Sequence, residues 1–124
     1  MDILNCISQA IFDKKGVNIL ALDVRNCPTT ADYVIIAEGL ADKHVTALAE
    51  GVLHSLAQEF SRGSVECSFE QGMKTGDWVV LDFSWLVVHL FMPGIRDHYD
   101  LESLWREADI VDVVIKVPKM QLAL

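Results

Sequence analysis

Positive charge is scarce in this chain. Ten Lys and Arg stand against 18 Asp and Glu, leaving a net charge of -8. Docking on a nucleic-acid backbone needs several clustered cations. Lys14-Lys15 is the sole adjacent basic pair, so broad phosphate contact is disfavoured. Cysteine is sparse as well: Cys6, Cys27 and Cys67 lie far apart, without a Cys-x-x-Cys pair. Zinc bound by paired thiolates has no support. An odd thiol count, with Asp2 at the start and no basic stretch before a cleavable apolar segment, fits reduced cysteines in the cytoplasm. No apolar run approaches the ~18–20 residues of a membrane span. Also missing are a G-x-x-x-x-G-K-[ST] or G-x-G-x-x-G loop, a G-x-S-x-G elbow and an H-E-x-x-H pair. His44, His54, His89 and His98 do not fall at metal-ligand spacing. No cofactor and no metal ligand is therefore nominated.

What remains is a strongly apolar, globular composition, 52% hydrophobic over 124 residues, the size of a single domain. Ile3, Ile7, Ala10 and Ile11 recur at helical spacing over residues 2–15, with Lys14 and Lys15 suited to a helix C-terminus and Gly16 to the C′ position. Ile19 to Val24 and Tyr33 to Ala37 read as buried strands, separated by a turn holding Asn26 and Pro28. Asp42 is a candidate N-cap for the strongest helix, with Val45, Leu48, Ala49, Val52, Leu53, Leu56 and Phe60 on one face and a stop at Gly63. At about 18 residues it would be roughly 27 Å long. Val65 to Phe69 fits an edge strand, and Gln71 to Asp77 a loop.

Trp78 to Phe83 and Leu86 to Phe91 form two further apolar strands, expected as an antiparallel hairpin turning near Ser84-Trp85 without the usual Asn-Gly signal. Asp100 can cap a last helix carrying Leu101, Leu104, Trp105 and Ala108. The expectation is an α/β fold: one domain with a mixed five-stranded sheet flanked by helices. The tail from Ile110 to Leu124 alternates in a strand-like way up to Pro118. It would either add an edge strand or become ordered only in an oligomer or crystal contact.

Candidate chemistry divides into two groups. Asp23, Asp32 and Asp82 lie in or beside apolar strands. They read either as an acid–base or Mg²⁺ cluster or as loop caps and partners of Arg25 or Arg96. His89 alternates with Val87 and Phe91 on one strand face and reads as a satisfied structural histidine. Pro93, Arg96 and Tyr99 sit between elements, where side chains are exposed, and are of the types that dominate interfaces. Trp78 fits either core or interface.

Several segments together resemble one family. Thr30-Ala31-Asp32-Tyr33-Val34-Ile35-Ile36-Ala37-Glu38-Gly39, then His44-Val45 and Ala47 to Ala49, are similar to the ribosomal silencing factor (RsfS, Iojap-like) family. So are Trp78-Val79-Val80-Leu81-Asp82, Val87-Val88-His89-Leu90-Phe91 and Tyr99-Asp100-Leu101-Glu102-Ser103-Leu104-Trp105. The resemblance runs in register over residues 3–108, which suggests an RsfS-like domain over 1–109 and a tail of unknown role over 110–124. It implies a nucleotidyltransferase-like topology and a non-enzymatic role. That role is binding the large ribosomal subunit through its basic ribosomal protein number fourteen, with little direct nucleic-acid contact and no membrane, so that the small subunit cannot join and translation falls in starvation. It also implies that Trp78, Pro93 and Tyr99 contact the partner, with Arg96 and His98 as neighbours. The chain departs from the family at Ser84-Trp85, where Gly-Asp is usual, at His98, where a tyrosine is common, and beyond Ala108. Two other readings stay open: a Mg-dependent nucleotidyltransferase-like enzyme using the three aspartates, and a homodimeric scaffold built on the tail.

Overall fold

A computed structural model describes residues 2–60, 67, 69–95 and 107–117. The expected last helix up to residue 106, the Gly63 stop, most of Val65 to Phe69, and Pro118 onward lie outside the described residues; Ala108, expected on that helix, is not helical. The first helix, α1 (Asp2–Asp13), buries Leu4, Ile7, Ala10 and Ile11. Its C-terminus closes with two bonds, Lys15 N–H to Phe12 O and Gly16 N–H to Ile11 O, at 2.9 and 2.8 Å. That is a Schellman arrangement, and it moves the expected C′ residue from Gly16 to Lys15, whose φ is 68°. Gly16 is needed one position later for another reason: a Cβ there would lie 2.3 Å from the Ile11 side chain.

Strand β1 (Val17–Asp23) is bulged near Asn18, φ 54°. It runs antiparallel to β2 (Tyr33–Glu38). Every residue of β2 from Val34 to Glu38 is buried, as its continuous apolar run demands. Helix α2 (Asp42–Glu59) buries Val45, Leu48, Ala49, Val52 and Leu56. Asp42 is not its N-cap. Ala41 holds that position with extended backbone and no side-chain bond, while Asp42 is the first helical residue. The acid instead favours the positive end of the helix dipole.

Short β3 (Phe69–Gln71) leads through a loop into β4 (Trp78–Asp82), and β5 (Leu86–Phe91) returns antiparallel to it. The hairpin turns at Ser84, φ 75°. The Asp82 carboxylate accepts the Ser84 N–H at 2.7 Å, which supplies locally what an Asn-Gly pair would have signalled. Among the described residues the sheet has six strands rather than the expected five, in the order β3-β4-β5-β2-β1-β6, the last being residues 109–111. The addition, β6 (Asp109–Val111), comes from the tail and pairs antiparallel with β1. Among the described residues, only β2 and β5 pair in parallel.

Helices α1 and α2 cover one face of the sheet, joined there by Ala21, Ile35, Leu81, Val88 and Leu90 in the main core. The opposite face carries a smaller cluster of Leu22, Val24, Cys27, Ala31, Val34, Ile36 and Phe91. Trp78, Val87 and Ile95 pack at its margin, half-buried. This second face positions the candidate site.

Candidate protein-docking surface

Trp78 opens β4, and its register partner across the hairpin is Phe91, the last residue of β5. Pro93 follows two residues later, so the pairing carries Trp78 and Pro93 to one end of the sheet. Met92 N–H donates to Asp77 O at 2.9 Å and fastens the exit of β5 beside the entry to β4. Ile95 N–H then reaches Met92 O at 3.3 Å. Proline at the second position and Gly94 at φ 96° in the third give this the form of a type II turn. Pro93 and Gly94 are exposed at its tip, while Ile95 folds back onto the small cluster.

The Trp78 ring meets the Phe91 ring edge-to-face, with centroids 6.5 Å apart and planes at 81°, a favoured aromatic arrangement. Its Nε1–H donates to His89 Nδ1 at 3.1 Å. Val80 pairs with His89, so Trp78 and His89 are diagonal neighbours on one face, within reach of large side chains. Burial lowers the His89 pKa to about 4, against a smaller opposing effect of the Asp82 charge. An indole N–H can only donate, so the bond needs the same unprotonated Nδ1 that burial favours. His89 is thus the satisfied structural histidine that its position on the strand suggested. Trp78 is half-buried and belongs both to the cluster and to the surface.

Arg96, His98 and Tyr99 lie outside the described residues. Of the nominated set, the structure brings together Trp78 and Pro93. It adds His89 and Phe91, whose link to Trp78 follows from the hairpin register and is invisible in composition.

The three aspartates lie at the other end of the sheet. Asp23 holds Arg25 in a fork, the closest approach being 2.6 Å from Nη2 to Oδ2. The Arg25 hydrogen bonds keep the Asp23 carboxyl below its ordinary pKa, and Arg25 also lies 5.5 Å from the centre of the Tyr33 ring. Asp82 is engaged in the hairpin turn. Strands β1 and β4 are separated by β5 and β2, which puts three strand spacings, about 14 Å, between Asp23 and Asp82. Among the described residues no three His, Cys, Asp or Glu gather as a metal site. A groove of about 530 Å³ lies between α1, the end of α2 and the tail. Its Cys6 thiol is pushed up in pKa by burial and by Glu59, which favours the unreactive protonated form.

A family model described as "Ribosomal silencing factor during starvation" matches residues 1–122. The chain belongs to the ribosomal silencing factor family. The ribosomal silencing factor RsfS of Bacillus subtilis is 32% identical, over 90% of this chain and 91% of that protein. A crystal structure of a protein from Chromobacterium violaceum aligns with a TM-score of 0.76 at 30% identity, covering 95% of this chain and 94% of that one. The mouse protein named "Mitochondrial assembly of ribosomal large subunit protein 1" is 31% identical over 60% of this chain and 32% of its own length. The silencing-factor match extends past Ala108, so β6 and the extended segment after it fall within it.

Proposed function

We propose that this silencing factor acts by occupying space on the large ribosomal subunit. It docks on a basic protein of that subunit, ribosomal protein number fourteen, and keeps the small subunit from joining when nutrients are short. It works in the cytoplasm, where translation runs. The observation that carries the reading is the family match over residues 1–122, with Trp78 half-buried and Pro93 exposed at one end of the sheet. The mouse relative's name ties that protein to the large subunit. The net charge of -8 suits a basic protein partner better than an rRNA backbone. Of the contact set, Trp78 and Pro93 supply an aromatic anchor and a rigid turn. Arg96, His98 and Tyr99, nominated with them, follow directly in sequence. An interface of ordinary size would take ~800 Å² from each partner, with most of the energy in a few such anchors.

Co-sedimentation tests the reading. Purified protein mixed with separated ribosomal subunits is expected to migrate with the large subunit and not the small one, and to cross-link to its protein number fourteen. Trp78→Ala is expected to cost about 2 kcal/mol or more of that binding while circular dichroism stays native. A chain that binds no large subunit from its own source contradicts the proposal.

A further inference from the structure

Trp78 is offered as a docking anchor, yet its indole N–H already has a partner within the chain. A surface tryptophan has two side-chain torsions to fix before it can fill a pocket, and fixing them costs binding free energy. Here both are constrained before any partner arrives. Phe91 stands directly across the hairpin and meets the ring edge-to-face. His89, one step further along β5 on the same face, receives the N–H at 3.1 Å. The two rings lie 6.0 Å apart at 46°. Both supports come from one strand, whose neighbour on the other side, β2, is buried from Val34 to Glu38. The platform under the indole is therefore rigid.

From this arrangement we infer that His89 is a positioning residue for docking: it holds the Trp78 indole in its binding orientation and takes up the N–H, so that the partner meets the ring surface. The partner's counterpart is then an apolar or cationic side chain that packs on an aromatic ring, not a carbonyl or carboxylate waiting for a donor. The inference rests on the reading that Trp78 contacts the large subunit, and the experiment separates the two.

The test uses the full chain, labelled with ¹⁵N, and purified large subunits. The Trp78 Nε1–H resonance is identified by its loss in Trp78→Phe, and its exchange with solvent is measured in wild type, His89→Leu and His89→Gln. Binding of wild type, Trp78→Ala and the two His89 variants is measured by co-sedimentation. The indole proton is expected to be protected in wild type and in His89→Gln, whose carbonyl can accept it, and to exchange freely in His89→Leu. Binding by His89→Leu is expected to weaken up to about tenfold, the ordering cost of one large side chain. His89→Gln should recover most of that loss. If Trp78→Ala binds weakly while His89→Leu binds like wild type, the positioning role is overturned and the docking reading stands. If Trp78→Ala itself binds like wild type, the docking reading falls first. Failure of His89→Gln to recover binding overturns the hydrogen-bond basis. Should His89→Leu not fold, an unprotected indole proton in wild type overturns it alone.

Discussion

His89 can accept the Trp78 proton only while Nδ1 is unprotonated. Burial lowers its folded pKa from 6.5 to about 4. As pH falls, the unfolded chain therefore takes up this proton first, and folding stability is lost between about pH 6.5 and 4, levelling off below that. At about 1.4 kcal/mol per unit the whole effect is about 3 kcal/mol. Urea unfolding at pH 7 and pH 4.5 should show a larger loss for wild type than for His89→Gln; equal losses would show that His89 does not titrate in this way. His44 plays a different local role. Its Nδ1 accepts the Leu40 N–H at 2.9 Å and its Nε2 faces Lys14 O at 2.7 Å. It joins the entry of α2 to the end of α1 in a single tautomer, with the proton on Nε2. His44→Ala removes both bonds and should cost about 1–3 kcal/mol, read as a lower melting temperature with unchanged helix content. An unaltered melting temperature would mean that water replaces both bonds without loss.

Among the elements, those with strong patterns were legible. Helix α2 follows from its 3.6-residue period, and β2, β4 and β5 from apolar runs too short for helices. What sequence reading missed depends on backbone geometry or on partners remote in the chain. Lys15 takes the left-handed position because Gly16 is pressed against Ile11. Ala41 replaces Asp42 as N-cap because the chain enters α2 in extended form there. The alternating tail was legible as a strand but left two readings open, and the pairing of β6 with β1 decides for the edge strand. Beyond it the tail is held along α1 by side-chain amides. Asn5 Oδ1 accepts Val114 N–H at 2.9 Å, and Gln9 Oε1 accepts Lys116 N–H at 2.7 Å. Gln9 also donates to Lys116 O at 3.1 Å. Four residues of helix rise about 6 Å, close to the roughly 6.6 Å of two strand residues, so the two amides meet alternate backbone groups. Gln9→Ala should therefore speed amide exchange at Lys116 while leaving the amides of α1 protected. Unchanged exchange at Lys116 would show that Gln9 does not hold the tail.

For the whole molecule, the candidate site was legible as residue types but not as a place. Pro93 and Trp78 are separated in the chain, and the antiparallel register of β4 and β5 is what brings them to the same end of the sheet. For the aspartates the sequence left two readings open, a cluster or loop caps and Arg25 partners; Asp23 and Asp82 take the second, in an Arg25 fork and a hairpin turn. A surplus of eight negative charges should also leave a kinetic mark. Association with a basic partner is steered by charge, so its rate should fall as salt rises past the point where the screening length is about 10 Å. Stopped-flow mixing at low and high salt reads this directly, and a salt-independent rate would remove charge steering from the account. The central claim is that the chain blocks subunit joining by occupation. Light scattering of purified large and small subunits mixed under joining conditions tests it most directly. With wild-type protein bound to the large subunit, the rise in scattering should be suppressed in proportion to occupancy, and Trp78→Ala should restore it. A full rise in scattering with the large subunit saturated by wild-type protein would contradict the claim.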